Sequence, residues 1–580
     1  MGLGSMALAH LPGWITCCMR DREEDTSETK TNEIGLQLHR GIEAPPRSLS
    51  GTTAFSDMTS SSPRLSGFEA SAFSTSASIE TKYYSSYSSG SGGVDTARFA
   101  IDVIRQSIYS SRIHSACGAE KWFIPQSRLE DLMNTKTGIS LVLSELAMRP
   151  DHARLRLISD ILAGTSTTSG NEGKVYRKIF AVLLLIHKHE DIKRFVDEGV
   201  DDSKLPLKRV EMGSREFGLA PYNDDNHEDG SHLHVFDGWT SEQKNDFIRL
   251  QWEMIPVYFR KQRNEVPHFK LLTGHILPYI AETHNPNLEA YDREHLQGGY
   301  GHISMYYMHP LQQDITRYTT RGKEGRVAVK RLISSNRRAF FEESEVLRRL
   351  TASSSPHLAK LLATYEQPLG PSGSPMQFYL MFECAESDLE RFWQRLSPER
   401  LMGQYQMPRE RIARWVAEQC HGLAKALAVV HDLTALGSQK DSQSDSFGIH
   451  GDIKPANILR YTDWRISDRS KEALYEPLGL LQLTDFGLSS FHHSNTVEDI
   501  KVKIGDSEYK PPEVHLVLPI SRSTDIWTLG CLYLEFVTWL VYGQQGRQDF
   551  CAKRTKHKGL NDIHPCFFEV LEESSGDQVL

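Results

Sequence analysis

Cysteine is scarce, with eight residues in 580, and only Cys17 and Cys18 stand close together. That scatter supplies neither a disulfide framework nor the paired spacing of a zinc site, so a reducing compartment, cytosolic or nuclear, fits best. Long apolar runs are missing too. A bilayer crossing needs roughly 20 apolar residues. Ile179 to Ile186 is short and flanked by His187, Lys188 and His189, and Trp527 to Tyr542 carries Glu535 in its middle. Both read as buried helices, and no transmembrane segment is expected. The start has no basic n-region, and Met6 stands where a myristoylation pattern needs Ser or Thr. Positive charge is not in excess: the net charge is −9. There is no global electrostatic reason to bind nucleic acid, and any basic site must be local.

What is present divides into three parts. Residues 48 to 91 hold sixteen Ser in 44 positions. Such a stretch buries too little apolar surface to offset its ordering entropy, so residues 1–95 are expected to be a disordered Ser-rich segment. Residues 96–287 change to amphipathic runs and read as a mainly α-helical region. Ile139, Val142, Leu143 and Leu146 share one face, and Val175, Ile179, Val182 and Ile186 another. Thr240 followed by Gln243 predicts a capping box for a helix that Pro256 interrupts. Residues 288–580 alternate short apolar runs with longer helical patterns, an α+β reading. Ile412, Trp415, Val416, Leu423, Leu427 and Val430 mark the core face of one long helix there.

The densest chemistry lies in His450-Gly451-Asp452-Ile453-Lys454-Pro455-Ala456-Asn457. A carboxylate can orient a hydroxyl and accept its proton, a lysine can neutralise a transferring phosphoryl group, and an asparagine oxygen can ligate a hard cation. Further on comes Asp485-Phe486-Gly487, after the apolar-rich Leu480, Leu481, Leu483 run that places it at a strand end. Asp485 offers a second metal ligand. This ordered pair resembles the eukaryotic protein kinase family, with its H-R-D-x-K-x-x-N loop and D-F-G motif.

That resemblance implies a two-lobed fold binding ATP and Mg2+, with Asp452, Lys454, Lys330 and Glu343 catalytic and Asn457 and Asp485 holding the metal. Lys330 ends Val327-Ala328-Val329-Lys330, similar to the strand whose lysine contacts the nucleotide phosphates, and Glu343 is placed like its helical partner. Phe382 resembles the gatekeeper. Glu383 to Ala385 resemble the hinge that bonds adenine through its backbone, with Asp388 facing the ribose. Leu296 to Ile303 resemble the glycine-rich loop except that Leu296 replaces its first glycine; Gly298, Gly301 and Ile303 would line the nucleotide. An inserted loop is expected near Thr319 to Gly325. Gly505 to Glu513 resemble the segment that closes the activation loop, and Asp525-Ile526-Trp527-Thr528-Leu529-Gly530 resembles the start of a buried helix whose Asp525 braces the catalytic loop.

The departures carry their own implications. Gly451 replaces the arginine before the catalytic aspartate, so an activation-loop phosphate at Ser489, Ser494 or Thr496 loses its usual partner. Asp506 replaces a Thr. Only fifty residues follow Gly530, which points to an incomplete carboxy-terminal lobe. For the arginine that normally pairs with Glu513, Arg547 and Arg554 are candidates. Lys454 matches the serine/threonine pattern, so the expected reaction is transfer of the ATP γ-phosphoryl group to protein Ser or Thr; the alternative is a pseudokinase scaffold. The helical region resembles extensions on predicted fungal kinases. His227, His232 and His234 lie near Glu228 and Asp229, but without zinc-type cysteine spacing they read as a solvated loop.

Overall fold

In a computed structural model, the described residues are 93–133, 174–212, 216–222, 232–263, 265–280, 296–298, 301–316, 325–333, 335–370, 374–432, 446–462, 478–486, 490–493, 508–516, 518, 520–555, 566–568, 571–572 and 578–579. Several expectations lie outside them: the Ser-rich segment up to residue 92, the helix face from Ile139 to Leu146, most of the loop from Thr319, Gly487, the three phosphoacceptors, and Gly505 to Ser507. Ala100–Leu580 belongs to one compact unit and Met19–Phe99 to another, of which only residues 93–99 are described.

The first elements are α1 (Gly93–Ser110), β1 (Ile113–His114), β2 (Trp122–Phe123), α2 (Gln126–Met133), α3 (Arg177–Leu185), α4 (Ile192–Asp197), β3 (Leu207–Glu211), β4 (Phe217–Pro221) and α5 (Ser241–Met254). Helix α3 has no polar face, since Ile179 to Leu185 are all buried, so it forms the centre of this region's core rather than one wall. Its own N-terminus lacks a side-chain cap. Asp202 supplies one from a distance by accepting from the Lys178 and Ile179 amides at 2.9 and 3.0 Å. The Thr240–Gln243 capping box forms, and α5 ends just before Pro256 as its sequence predicts. Phe236 packs against Phe195, Phe247 and Trp239 at ring separations of 5.4, 5.1 and 5.1 Å. The region is not wholly helical. Phe217–Pro221 is a buried run of five residues, too short for a stable helix, and it pairs with β3 as a hairpin.

Next come β5 (His268–Lys270), β6 (Tyr279–Ile280), β7 (Leu296–Gly298), β8 (Gly301–Met308), β9 (Arg326–Leu332), α6 (Arg337–Ala352), β10 (Leu361–Pro368) and β11 (Met376–Glu383). They form a seven-stranded sheet in the order β5-β10-β11-β9-β8-β6, with β7 paired to β8. Strands β5 and β6 come from before residue 288, so the region upstream shares this sheet. The sharing explains why Val327 to Val329 read as an unbroken apolar run. On β9, Ala328 and Leu332 pack with Phe340 and Leu347 of α6. Val327 and Val329 face the other way, against Val257, Phe259, Leu271 and Tyr279. Strand alternation puts Lys330 on the α6 side.

The second lobe holds β12 (Ser387–Asp388), α7 (Leu389–Arg395), α8 (Pro398–Gln404), α9 (Arg409–His431), β13 (Ser446–Ile449), β14 (Ile458–Tyr461), β15 (Leu480–Leu483), β16 (Ser490–His493), α10 (Pro512–His515), α11 (Arg522–Thr555, broken at Gly543), β17 (Leu571–Glu572) and β18 (Gln578–Val579). The six apolar positions expected on α9 are all buried. Helix α11 departs from its expectation. Leu532, Phe536 and Trp539 enter the core, but Ile526, Leu534, Val537 and Val541 are exposed, so it is buried on one face only. By length and composition, Arg522–Arg554 is apolar enough to cross a bilayer. None of the six described cysteines is in a disulfide.

Phe236→Ala should lower unfolding free energy by about 3–5 kcal/mol, because it removes a fully buried ring that touches three others. Denaturant unfolding followed through Trp239 fluorescence checks it; a loss below about 1 kcal/mol would mean that this aromatic cluster is not packed as described.

Candidate active site

The loop from His450 is shaped by a carboxylate beneath it. Asp525, at the start of α11, is fully buried and accepts from the His450 amide at 2.8 Å, the Gly451 amide at 2.9 Å and His431 Nε2 at 2.8 Å. Gly451 has φ 79°, a left-handed conformation that glycine adopts without a Cβ clash. His450 then bonds in two directions: Nδ1 accepts from the Asp452 amide at 3.3 Å and Nε2 donates to Thr484 O at 2.9 Å. That network assigns the neutral Nε2–H tautomer. His450 also packs on Phe486 at 5.0 Å, linking the loop to the strand that delivers Asp485. Helix α9 holds the same strand, through Trp415 Nε1 to Gly479 O at 2.7 Å and the Leu481 amide to Gln419 Oε1 at 2.9 Å.

On this frame the loop's three functional groups converge. Asp452 Oδ2 accepts from Lys454 Nζ at 2.7 Å and from Asn457 Nδ2 at 2.9 Å, and Asn457 Nδ2 also donates to Asp452 O at 2.8 Å. The opposite atoms, Asp452 Oδ1 and Asn457 Oδ1, are buried with no hydrogen-bond partner among the described residues. Buried oxygens are rarely left so in a folded chain without a role. One is suited to accept from a hydroxyl and the other to ligate a hard cation. Burial pushes the Asp452 carboxyl above its ordinary value; Lys454 opposes that shift and Asp485 adds to it.

Lys330 Nζ lies 3.3 Å from both Glu343 Oε1 and Asp485 Oδ1. Burial favours the neutral amine, but Asp485 and Glu343 outweigh it and the pKa is raised, so the lysine is a cation at neutral pH. Asp485 itself has φ 66°, uncommon for a residue other than glycine, and such strain concentrates at functional sites. The donor set of Asp485 and the orphaned Asn457 oxygen therefore fits Mg2+, which takes oxygen ligands.

The expected nucleotide contacts fall as follows. Gly298 pairs with Gly301 across the β7–β8 hairpin, and Ile303 sits opposite Lys330 in the β8–β9 register. After Glu383, the Cys384 and Glu386 amides are bonded to Arg326 O and Arg460 O, and Glu383 O accepts from Tyr461 OH at 3.3 Å. Between them the Ala385 amide has no bond among the described residues. Asp388 caps α7 through the Arg391 amide at 2.7 Å, and burial pushes its carboxyl up to about 6. A ribose hydroxyl would have to compete with that cap. A cavity of about 1030 Å³ borders Glu383, Cys384 and Glu386, but neither Lys330 nor Asp485 lines it.

Neither candidate arginine pairs with Glu513, which instead accepts from Thr524 Oγ1 at 2.9 Å. Arg547 binds Glu390 at 2.7 Å and Glu535 at 2.9 Å. Arg554 binds Glu535 at 2.8 Å and approaches Glu508 at 3.7 Å, and Tyr509 OH donates to Glu535 at 2.9 Å. The charge in the middle of the apolar α11 run is thus the hub of a buried ion network. Sequence reasoning missed this network and His431. The one available signal was Glu535 itself, a carboxylate that cannot be buried without cations.

The family model described as "Protein kinase domain" matches residues 314–568. "GLH-binding kinase 1" of Caenorhabditis elegans is 32% identical over 128 residues, 22% of this chain and 28% of that protein. "Probable dual specificity protein kinase madd-3" of the same organism is 33% identical over 99 residues, 16% of this chain and 10% of its own. "Serine/threonine-protein kinase 17A" of Oryctolagus cuniculus is 33% identical over 90 residues, 16% of this chain and 19% of its own. The chain thus spans less than a third of the length of these relatives, and none of the three is fungal.

Asp525→Ala should leave two buried loop amides without an acceptor and cost roughly 3 kcal/mol or more. Hydrogen exchange at His450 and Gly451 should accelerate while exchange in α3 stays slow. Unchanged exchange at both amides would show that Asp525 does not hold the loop.

Proposed function

We propose that the protein kinase domain of this chain transfers the γ-phosphoryl group of ATP to Ser or Thr hydroxyls of protein substrates. The observation that carries this reading is the pair of buried oxygens on Asp452 and Asn457 that have no partner among the described residues, with the Lys330–Asp485–Glu343 cluster acting on Asp452 through Asp485. Bound MgATP would supply the transferable group and a divalent charge, with Asp485 and Asn457 as the metal's protein ligands. Lys330, kept cationic by its two carboxylates, meets phosphate charge, and Glu343 keeps its amine from turning away. The Ala385 amide, without a bond among the described residues, is the donor that the hinge offers to an adenine edge. Asp452 Oδ1 accepts the acceptor hydroxyl's proton while Oδ2 stays held by Lys454 and Asn457, so the carboxylate cannot rotate. Lys454 is then placed to offset negative charge that develops on the transferred group. Lys454 also supports Ser and Thr over Tyr as acceptor.

The test is phosphate incorporation by purified protein with Mg2+, ATP and a generic basic acceptor, with sites located by mass spectrometry. Asp452→Asn should lower the rate by about 10²–10⁴-fold without loss of fold. Incorporation equal to that of Asp452→Asn would sink the catalytic reading and leave an interaction scaffold.

The acid side of the rate profile offers a second check. Asp452 works as a base only when ionised, and its pKa is raised, so activity should fall as pH drops through a value above the ordinary 3.8. An acid limb at or below 3.8 would contradict the buried environment of this carboxylate.

A further inference from the structure

The upstream region holds a second convergence of ligating groups. The ligand atoms of His232, His234 and Asp237 all lie within 4.8 Å of one another. His232 Nε2 is 3.1 Å from Asp237 Oδ1, and His234 Nδ1 is 3.1 Å from Asp237 Oδ2, so one carboxylate is gripped from both sides. We propose that His232, His234 and Asp237 bind a divalent transition-metal ion of the zinc type.

Donor chemistry selects that class of ion. Two imidazoles and a carboxylate suit zinc and its neighbours, whereas magnesium and calcium prefer all-oxygen shells. With metal–ligand distances near 2.05 Å, tetrahedral donors stand about 3.3 Å apart. The two 3.1 Å pairs use different Asp237 oxygens, so with one carboxylate oxygen as donor only one of them already stands at that separation. The other two separations, each at most 4.8 Å, have to close by up to about 1.5 Å, and His234 and Asp237 are exposed enough to move. Three protein donors leave the fourth position to water.

The backbone beneath these donors is anchored. The Leu233 amide donates to Leu219 O of β4 at 2.8 Å, and Phe236 and Trp239 plug the core on the far side. Arg194 grips the turn at both ends, donating to His234 O at 2.9 Å and Asp237 O at 3.2 Å. Its charge, which would repel a cation, is opposed by Asp191 at 4.0 Å. His232 lies flat on β4 because Gly218 has no side chain: a Cβ there would meet the His232 Cβ at 2.4 Å. A fixed frame of this kind lowers the ordering cost of binding. The ion would replace the protons now shared between the imidazoles and Asp237 and would close the 232–237 turn on itself.

The experiment titrates Zn2+ alone into the full chain by calorimetry, with Co2+ absorption as a report of the ligand set. The chain has 24 histidines, so the comparison between variants decides. One tight ion is expected in the wild type, weakened by roughly 100-fold in His234→Ala and about 10-fold or more in Asp237→Asn, and unaltered in His421→Ala. Both cluster residues are exposed, and circular dichroism confirms that the variants remain folded. Zn2+ should also raise the unfolding midpoint of the wild type but not that of the two cluster variants. Equal Zn2+ binding by wild type and His234→Ala, or no binding by the wild type, would overturn the site and leave a hydrogen-bonded turn.

Discussion

Burying a carboxylate is costly unless donors pair with it, and the geometry of the loop from His450 follows from the three donors that Asp525 gathers. Two of its donors are the backbone amides of His450 and Gly451. Those bonds set the chain direction immediately before Asp452, and the glycine at φ 79° completes the bend. With the backbone held, Lys454 and Asn457 both reach one oxygen of Asp452, and the other has no partner among the described residues. Neighbouring groups depend on the same anchor. His450, positioned by it, reaches Thr484 O and stacks beside Phe486, which ties the loop to Asp485.

The second constraint is on Lys330. A cation buried in a strand has to be compensated, and the two carboxylates that do so come from separate elements, α6 and the end of β15. The lysine therefore links the sheet, its helix and the second lobe at one point. Its strand is covered on both faces. Residues 257–279 supply the outer cover, which leaves the inner face of β9 to α6 and the site. The upstream region thus contributes to the sheet that carries Lys330.

Much of the site was readable from local pattern. Asp452, Lys454, Asn457, Asp485, Lys330 and Glu343 lie in short ordered motifs, and the structure gathers them into two clusters of three, with Asp485 acting electrostatically on Asp452. The α5 capping box and the core face of α9 were equally legible, since both depend on residues three or four apart. The ion network was not. Glu390, Glu508, Glu535, Arg547 and Arg554 span 164 positions, and no local period marks which charge meets which. The expectation that Arg547 or Arg554 would reach Glu513 failed for that reason: the arginines satisfy the buried Glu535 first, and Thr524 satisfies Glu513.

By itself the sequence determined the periodicities, the caps and the order of reactive side chains, because these depend on neighbours along the chain. Tertiary structure alone decided which carboxylates Lys330 shares, which oxygens of Asp452 and Asn457 have no partner among the described residues, and that α11 hides one face while exposing the other. It also decided that His232 and His234 both close on Asp237. Burial and hydrogen-bond satisfaction act between residues far apart along the chain, so they take effect only once the elements have packed.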